Sequence, residues 1–170
     1  MMGRIVLSVS ATLVALNLAA AAPAADKNAG KFLQNAIEGN LAEVELGKLA
    51  QEKSMDDGVR SFGDMLVKDH SAGNKKATQV ASALGVTAPT EPNQAQKATY
   101  DKLSKLSGNA FDRQFAKMMV DDHKNDIREF EKESKSSNQQ VAEFAKYTLP
   151  TLHEHLDAAQ SLAKAKAASR

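Results

Sequence analysis

The sequence predicts an all-α fold, a bundle of four long helices with a short extra helix in the connection between the second and third. Three observations carry this. Four long segments repeat their apolar residues with a helical period, and none holds a convincing run of period two. The breaks between them are rich in capping residues, glycine and proline. Of the 170 residues, 42% are apolar and 25% charged, a globular composition.

The N-terminal stretch stands apart. Arg4 precedes a mostly apolar, uncharged run from Ile5 to Leu18, and Ala19-Ala20-Ala21-Ala22-Pro23-Ala24-Ala25 follows. A positive start, a short apolar run and small-residue cleavage chemistry predict a signal peptide over residues 1–24, cut at Ala22-Pro23-Ala24. The apolar run is shorter than the roughly 20 residues that span a bilayer. The expected mature domain is residues 25–170, periplasmic or secreted, with no stable membrane insertion.

The first long helix is predicted from Lys27 to Glu52 and the second from Asp57 to Leu84. Gly85 stops the second, with Pro89 and Pro92 just beyond. The short helix is predicted from Asn93 to Leu106. Two further long helices follow, from Asn109 to Lys135 and from Gln139 to Ala168. The expected N-terminal caps are Ser54-x-x-Asp57, Asn109-x-x-Asp112 and Ser137-x-x-Gln140. The Ala/Lys-rich end after Ala163 is expected to fray. Pro150 falls inside the last helix on its outer face, where it removes a backbone bond to Lys146 and kinks the helix.

Connection lengths constrain the topology. The first pair of long helices is joined by about four residues and the last pair by about three, so each pair is an antiparallel hairpin. The connection from Leu84 to Asn109 is much longer. Its extended residues and short helix together reach about 49 Å, more than the roughly 42 Å of a long helix here. A crossover along the bundle is therefore open, which permits a ferritin-like arrangement as well as up-down-up-down.

Composition removes several function classes. Lys+Arg number 22 and Asp+Glu 21, a net charge of +1, without the basic excess of a nucleic-acid binder. The absence of Cys excludes disulfides, thiol catalysis, iron–sulfur clusters and Cys-rich zinc sites. No phosphate loop, nucleophile elbow or HExxH motif occurs.

The candidate site comes from the helical faces. Phe62-x-x-Met65-x-Val67-x-Asp69-His70 is matched by Phe115-x-x-Met118-x-Val120-x-Asp122-His123. Two helices packing alike would explain this repeat, and so would two helices delivering the same ligand to one site. At about 100° per residue, His70, His123 and His155 fall on the core faces of the second, third and fourth long helices. Glu43 and Asn40 fall on the core face of the first, whereas His153 sits on a margin and is expected to be wet. Glu43, His70, His123 and His155 also stand near the midpoints of their helices, so all four can converge at one level.

Carboxylate and neutral imidazole ligate divalent first-row metals, and a buried carboxylate is costly unless paired or metal-bound. The expected ligands are Glu43, His70, His123 and His155, holding one divalent transition metal: iron, manganese or zinc. Copper is less favoured, because Met65, Met118 and Met119 have the spacing of core fillers. Val67, Val120 and Leu152 stand three residues before the core histidines, so the Glu-x-x-His pairs of a di-iron centre are missing. Asp69, Asp122 and Asp126 are candidate extra ligands or acceptors that orient the imidazoles. The alternative is a metal-free buried His/Glu network in a non-catalytic structural or interaction protein of the envelope or of stress.

Several motifs resemble a known family in order and spacing. They are Glu38-Gly39-Asn40-Leu41-Ala42-Glu43-Val44-Glu45-Leu46-Gly47, Val67-Lys68-Asp69-His70, Ser107-Gly108-x-x-Phe111-Asp112, Asp122-His123 and Thr148-Leu149-Pro150-Thr151-Leu152-x-x-His155. With them the chain, from about Lys31 to Ala163, resembles the "domain of unknown function 4142" family of exported bacterial proteins. The resemblance implies a ferritin-like fold and export, and supplies no reaction. The expected role is metal handling or stress protection in the cell envelope.

Overall fold

The structure, a computed structural model, describes residues 27–168. The predicted leader and its cleavage site lie outside them. Five helices follow in order: α1 (Lys27–Lys53), α2 (Asp57–Ala83), α3 (Gln94–Ser104), α4 (Gly108–Glu133) and α5 (Gln139–Ala168). There is no strand among the described residues. No helix there is long and apolar enough to cross a membrane.

Helix ends agree with the sequence to within a few residues, but the N-terminal caps shift. Asp56 caps α2, its Oδ1 accepting from the Val59 N–H at 3.0 Å. Asn138 does the same for α5, accepting from Val141 N–H at 3.2 Å. Each stands just before its helix, where a short side chain reaches the free N–H groups of the first turn. Helix α4 begins at Gly108 after Ser107, which makes no side-chain cap bond. Asp112, expected in that cap, is buried and accepts instead from Ser54 Oγ at 2.6 Å. Gly85 does end α2. It takes a φ of +67°, which glycine adopts without strain, while Gly85 N–H bonds Ser82 O and Val86 N–H bonds Ala81 O.

The C-terminal end is another correction. Lys166 is buried, and its ammonium pairs with Asp56 and, at 3.3 Å, with Asp112. Three segments distant in sequence are thus tied at one end of the bundle, which counters fraying.

Helix α1 packs beside α2 and α4 beside α5, while α2 touches α5 and α1 touches α4. The core gives the directions. At one end Phe32 and Leu33 of α1 meet Ala77 and Ala81 of α2, Ile127 and Phe130 of α4 and Phe144 of α5. At the other, Leu46 and Leu49 meet Val59 and Phe62, Phe111 and Phe115, and Ala159. Helices α1 and α5 therefore run one way, and α2 and α4 the other. The connection carrying α3 travels the length of the bundle, packing on α1 and α4. This is the crossover arrangement that the long connection allowed.

Burying each of these Phe side chains contributes about 2–3 kcal/mol. Small residues set the closest seam. A Cβ on Gly47 would lie 2.6 Å from Gly63 O, and one on Gly63 would lie 2.6 Å from Gly47 O. The backbones of α1 and α2 meet there directly.

The apolar core divides into these two clusters. Between them, at mid-bundle, lie Glu43, His70, His123 and His155, all buried.

Candidate metal centre

Four helices position this polar layer, because each interrupts its apolar stripe near mid-helix with a buried polar residue. In α4, Met119 and Ile127 are core residues and His123 stands between them. In α5, His155 stands between Leu152 and Ala159. In α2, His70 follows Leu66 by one turn. His70 and His123 come from helices on opposite corners of the bundle and meet across its centre.

The three imidazoles form one cluster. Ring centroids are 5.7 Å apart for His70–His123, 5.1 Å for His70–His155 and 5.2 Å for His123–His155. One ligand atom from each lies within 4.8 Å of those of the other two. Both halves of the Asp-His repeat therefore deliver histidine to one place. His153 is exposed and takes no part.

Each imidazole has one nitrogen against an oxygen. His70 Nδ1 lies 2.9 Å from Asn40 Oδ1. His123 Nδ1 lies 2.9 Å from Met119 O, the carbonyl one turn earlier in its own helix. His155 Nε2 lies 3.2 Å from Asp69 Oδ2. A carbonyl or carboxylate oxygen accepts, so the nitrogen facing it carries the proton. In a neutral ring the other nitrogen is then a bare lone pair. Those nitrogens are His70 Nε2, His123 Nε2 and His155 Nδ1. His70 Nε2 is buried with no hydrogen-bond partner. His123 Nε2 and His155 Nδ1 lie 3.2 Å apart. If His155 instead carries its proton on Nδ1, its Nε2 lone pair faces the Asp69 carboxylate.

The surroundings oppose protonation of these rings. Burial, and then the neighbouring His123 and His155, hold His70 well below its ordinary value. Burial and His155 lower His123 to about 4, against a smaller opposing effect of its bond to Met119. Burial also lowers His155, and Asp69 partly offsets it. The three rings thus favour the neutral form, the form that ligates metal.

Residues 15–162 match the family described as "Domain of unknown function (DUF4142)". The chain belongs to this family. The match includes every residue of the polar layer, and it begins inside the predicted leader. No curated protein and no solved structure matches the chain.

In this member of the DUF4142 family, the close group of ligand atoms holds the three histidines and leaves Glu43 outside it. Glu43 is buried on α1 beside Asp126 and Asp122. Burial, then the charges of Asp126 and Asp122, holds its carboxyl well above the usual range. Asp126 is pushed up to about 7 by burial, with Asp122 and Glu129 adding to it. Asp69 is the acceptor expected for an imidazole, whereas Asp122 and Asp126 stand near Glu43, and Asp126 also lines a small cavity with His70. Sequence reasoning missed the Met119 carbonyl, for which the only signal was its place one turn before His123.

The donor set fits a metal. Two ligands about 2.1 Å from one ion at the tetrahedral angle stand about 3.4 Å apart. His123 Nε2 and His155 Nδ1 are near that separation, and His70 lies within reach of both.

Proposed function

We propose that this protein binds one divalent transition metal at mid-bundle through His70, His123 and His155, as an exported protein that handles metal or protects against stress in the cell envelope. One observation carries the metal reading. Three buried imidazoles bring one ring nitrogen each within 4.8 Å of the others, and each ring has one nitrogen against an oxygen. Outer oxygens that fix the tautomer are the usual companions of metal-bound histidine. Lone pairs that face one another in a buried site repel unless a proton or a cation joins them, and burial disfavours the proton. Imidazole ligands suit zinc, iron and other first-row ions. Export rests on the leader-like residues 1–24.

A second reading is a metal-free network, favoured by the 3.2 Å His123–His155 contact, where one proton could join the two rings. It leaves His70 Nε2 without a partner.

Elemental analysis separates the readings. Untagged protein, purified without chelator, is compared with a His70→Ala/His123→Ala variant. A metal present at near one per chain in the wild type and lost from the variant supports the site and names its ion, whatever other ion the variant retains. No metal in either, even after incubation with iron, manganese, copper and zinc, overturns it.

A further inference from the structure

Glu43 has a different environment from the histidines. It is 5% exposed, and its Oε2 has no hydrogen-bond partner. With Asp122 and Asp126, one turn apart on α4, it lines a cavity of about 330 Å³. Gln96 and Thr99 of α3 form part of its wall, so the crossover helix covers one side. No basic residue lines this cavity among the described residues. A carboxylate taken out of water needs a compensating positive charge, and here the protein supplies other acids instead.

We propose that Glu43, Asp122 and Asp126 form a second divalent-cation site, built of oxygen ligands, under α3 and distinct from the histidine trio. Three carboxylates and their cavity suit a hard cation such as manganese, magnesium or calcium, whereas the imidazoles suit softer ions. The buried, unpartnered Oε2 is the atom that Glu43 offers to a cation. Asp126 and Gly39 also line a smaller cavity of about 40 Å³ that touches His70. A Cβ at Gly39 would meet nothing within 4 Å. The two sites are therefore neighbours with separate ligand chemistry, and the second stands whether or not the histidines hold metal.

Mn2+ is the probe, followed by loss of its free-ion electron paramagnetic resonance signal as the purified protein is titrated. Glu43→Gln/Asp126→Asn should bind Mn2+ at least about tenfold more weakly than wild type, since site affinity follows ligand charge. The His70→Ala/His123→Ala variant should stay within about twofold of wild type. An unchanged Mn2+ curve in the carboxylate variant overturns the proposal. So does a wild type that takes up no Mn2+, or Mn2+ uptake lost only in the histidine variant. Glu43→Gln is isosteric with the neutral acid that burial favours, so the variant should melt no lower than wild type without metal. Asp122→Asn, which leaves the buried Glu43 in place, is the second variant and should weaken Mn2+ binding in the same direction. Failure of the histidine site alone appears as lost zinc binding with Mn2+ binding intact.

Discussion

His155 Nε2 lies 3.2 Å from Asp69 Oδ2, across the seam of α5 and α2 and 86 residues away in sequence. The contact holds the His155 ring so that Nδ1 faces His123. Asp69→Ala should therefore weaken zinc binding about 10- to 100-fold, the usual effect of losing an acceptor behind a metal-bound imidazole. Asp69 is partly exposed, so the fold should be nearly unchanged. Zinc calorimetry beside a thermal melt checks this. Unchanged affinity would mean that Asp69 does not orient the ligand.

Metal removal should be visible as lost heat stability. A ligand at about 100 times its Kd stabilises the folded state by about 2.7 kcal/mol. For a chain of this size that corresponds to about 5–10 °C in Tm. With zinc as the only added metal, a chelator should lower the Tm of wild type by this amount more than that of His70→Ala/His123→Ala. Equal melting with and without chelator in loaded wild type would argue for the metal-free network.

The acidic trio predicts a pH signature in metal-free protein. Asp126 has its carboxyl at about 7 in the fold, against 3.8 as its ordinary value. A raised carboxyl contributes stability at low pH that is lost progressively as pH rises from about 3.8 to about 7. Asp126→Asn should thus raise Tm by several degrees at pH 8 and by little at pH 5. The histidines act oppositely, because lowered imidazoles lose stability as pH falls from about 6.5 toward 4. They are common to both proteins, so the difference between the two melting curves reports Asp126 together with the Glu43 carboxyl that it raises. The same shift at both pH values would refute this.

Gly47→Ala or Gly63→Ala should destabilise the protein by about 1–3 kcal/mol, as overpacking does. The added Cβ meets a backbone carbonyl, which cannot rotate away as a side chain can. Urea unfolding measures the loss. A change below about 0.5 kcal/mol would show that the α1–α2 seam can open freely.

Lys166→Ala should cost about 2 kcal/mol, because hydrogen bonds to charged groups are each worth about 1.5–3 kcal/mol and Asp112 keeps its bond to Ser54. The loss should be read by urea unfolding, and near-zero loss would mean that the last turns of α5 do fray.

The helices and their inward faces were legible in residue order. Leu66 and His70, or Met119 and His123, share a face because they are one turn apart, whatever surrounds the helix. The long connection also showed that a crossover was within reach, since reach depends only on residue count, but left up-down-up-down open beside it. The caps were less legible. Asp112 has the spacing of a capping residue, yet Lys166, more than fifty residues later, draws it inward. Glu43 had the right face and height for the histidine site, but a wheel and a midpoint do not give lateral position within a layer several ångströms across.

Local periodicity therefore placed Glu43 and the three histidines on the core faces, because a helix sets the direction of each side chain without outside help. Tertiary packing decided their partners. It set His155 against Asp69 and His123 against the Met119 carbonyl, and it grouped Glu43 with Asp122 and Asp126. Hydrogen bonds act over about 3 Å, a distance that helix spacing cannot predict and only the packed bundle defines.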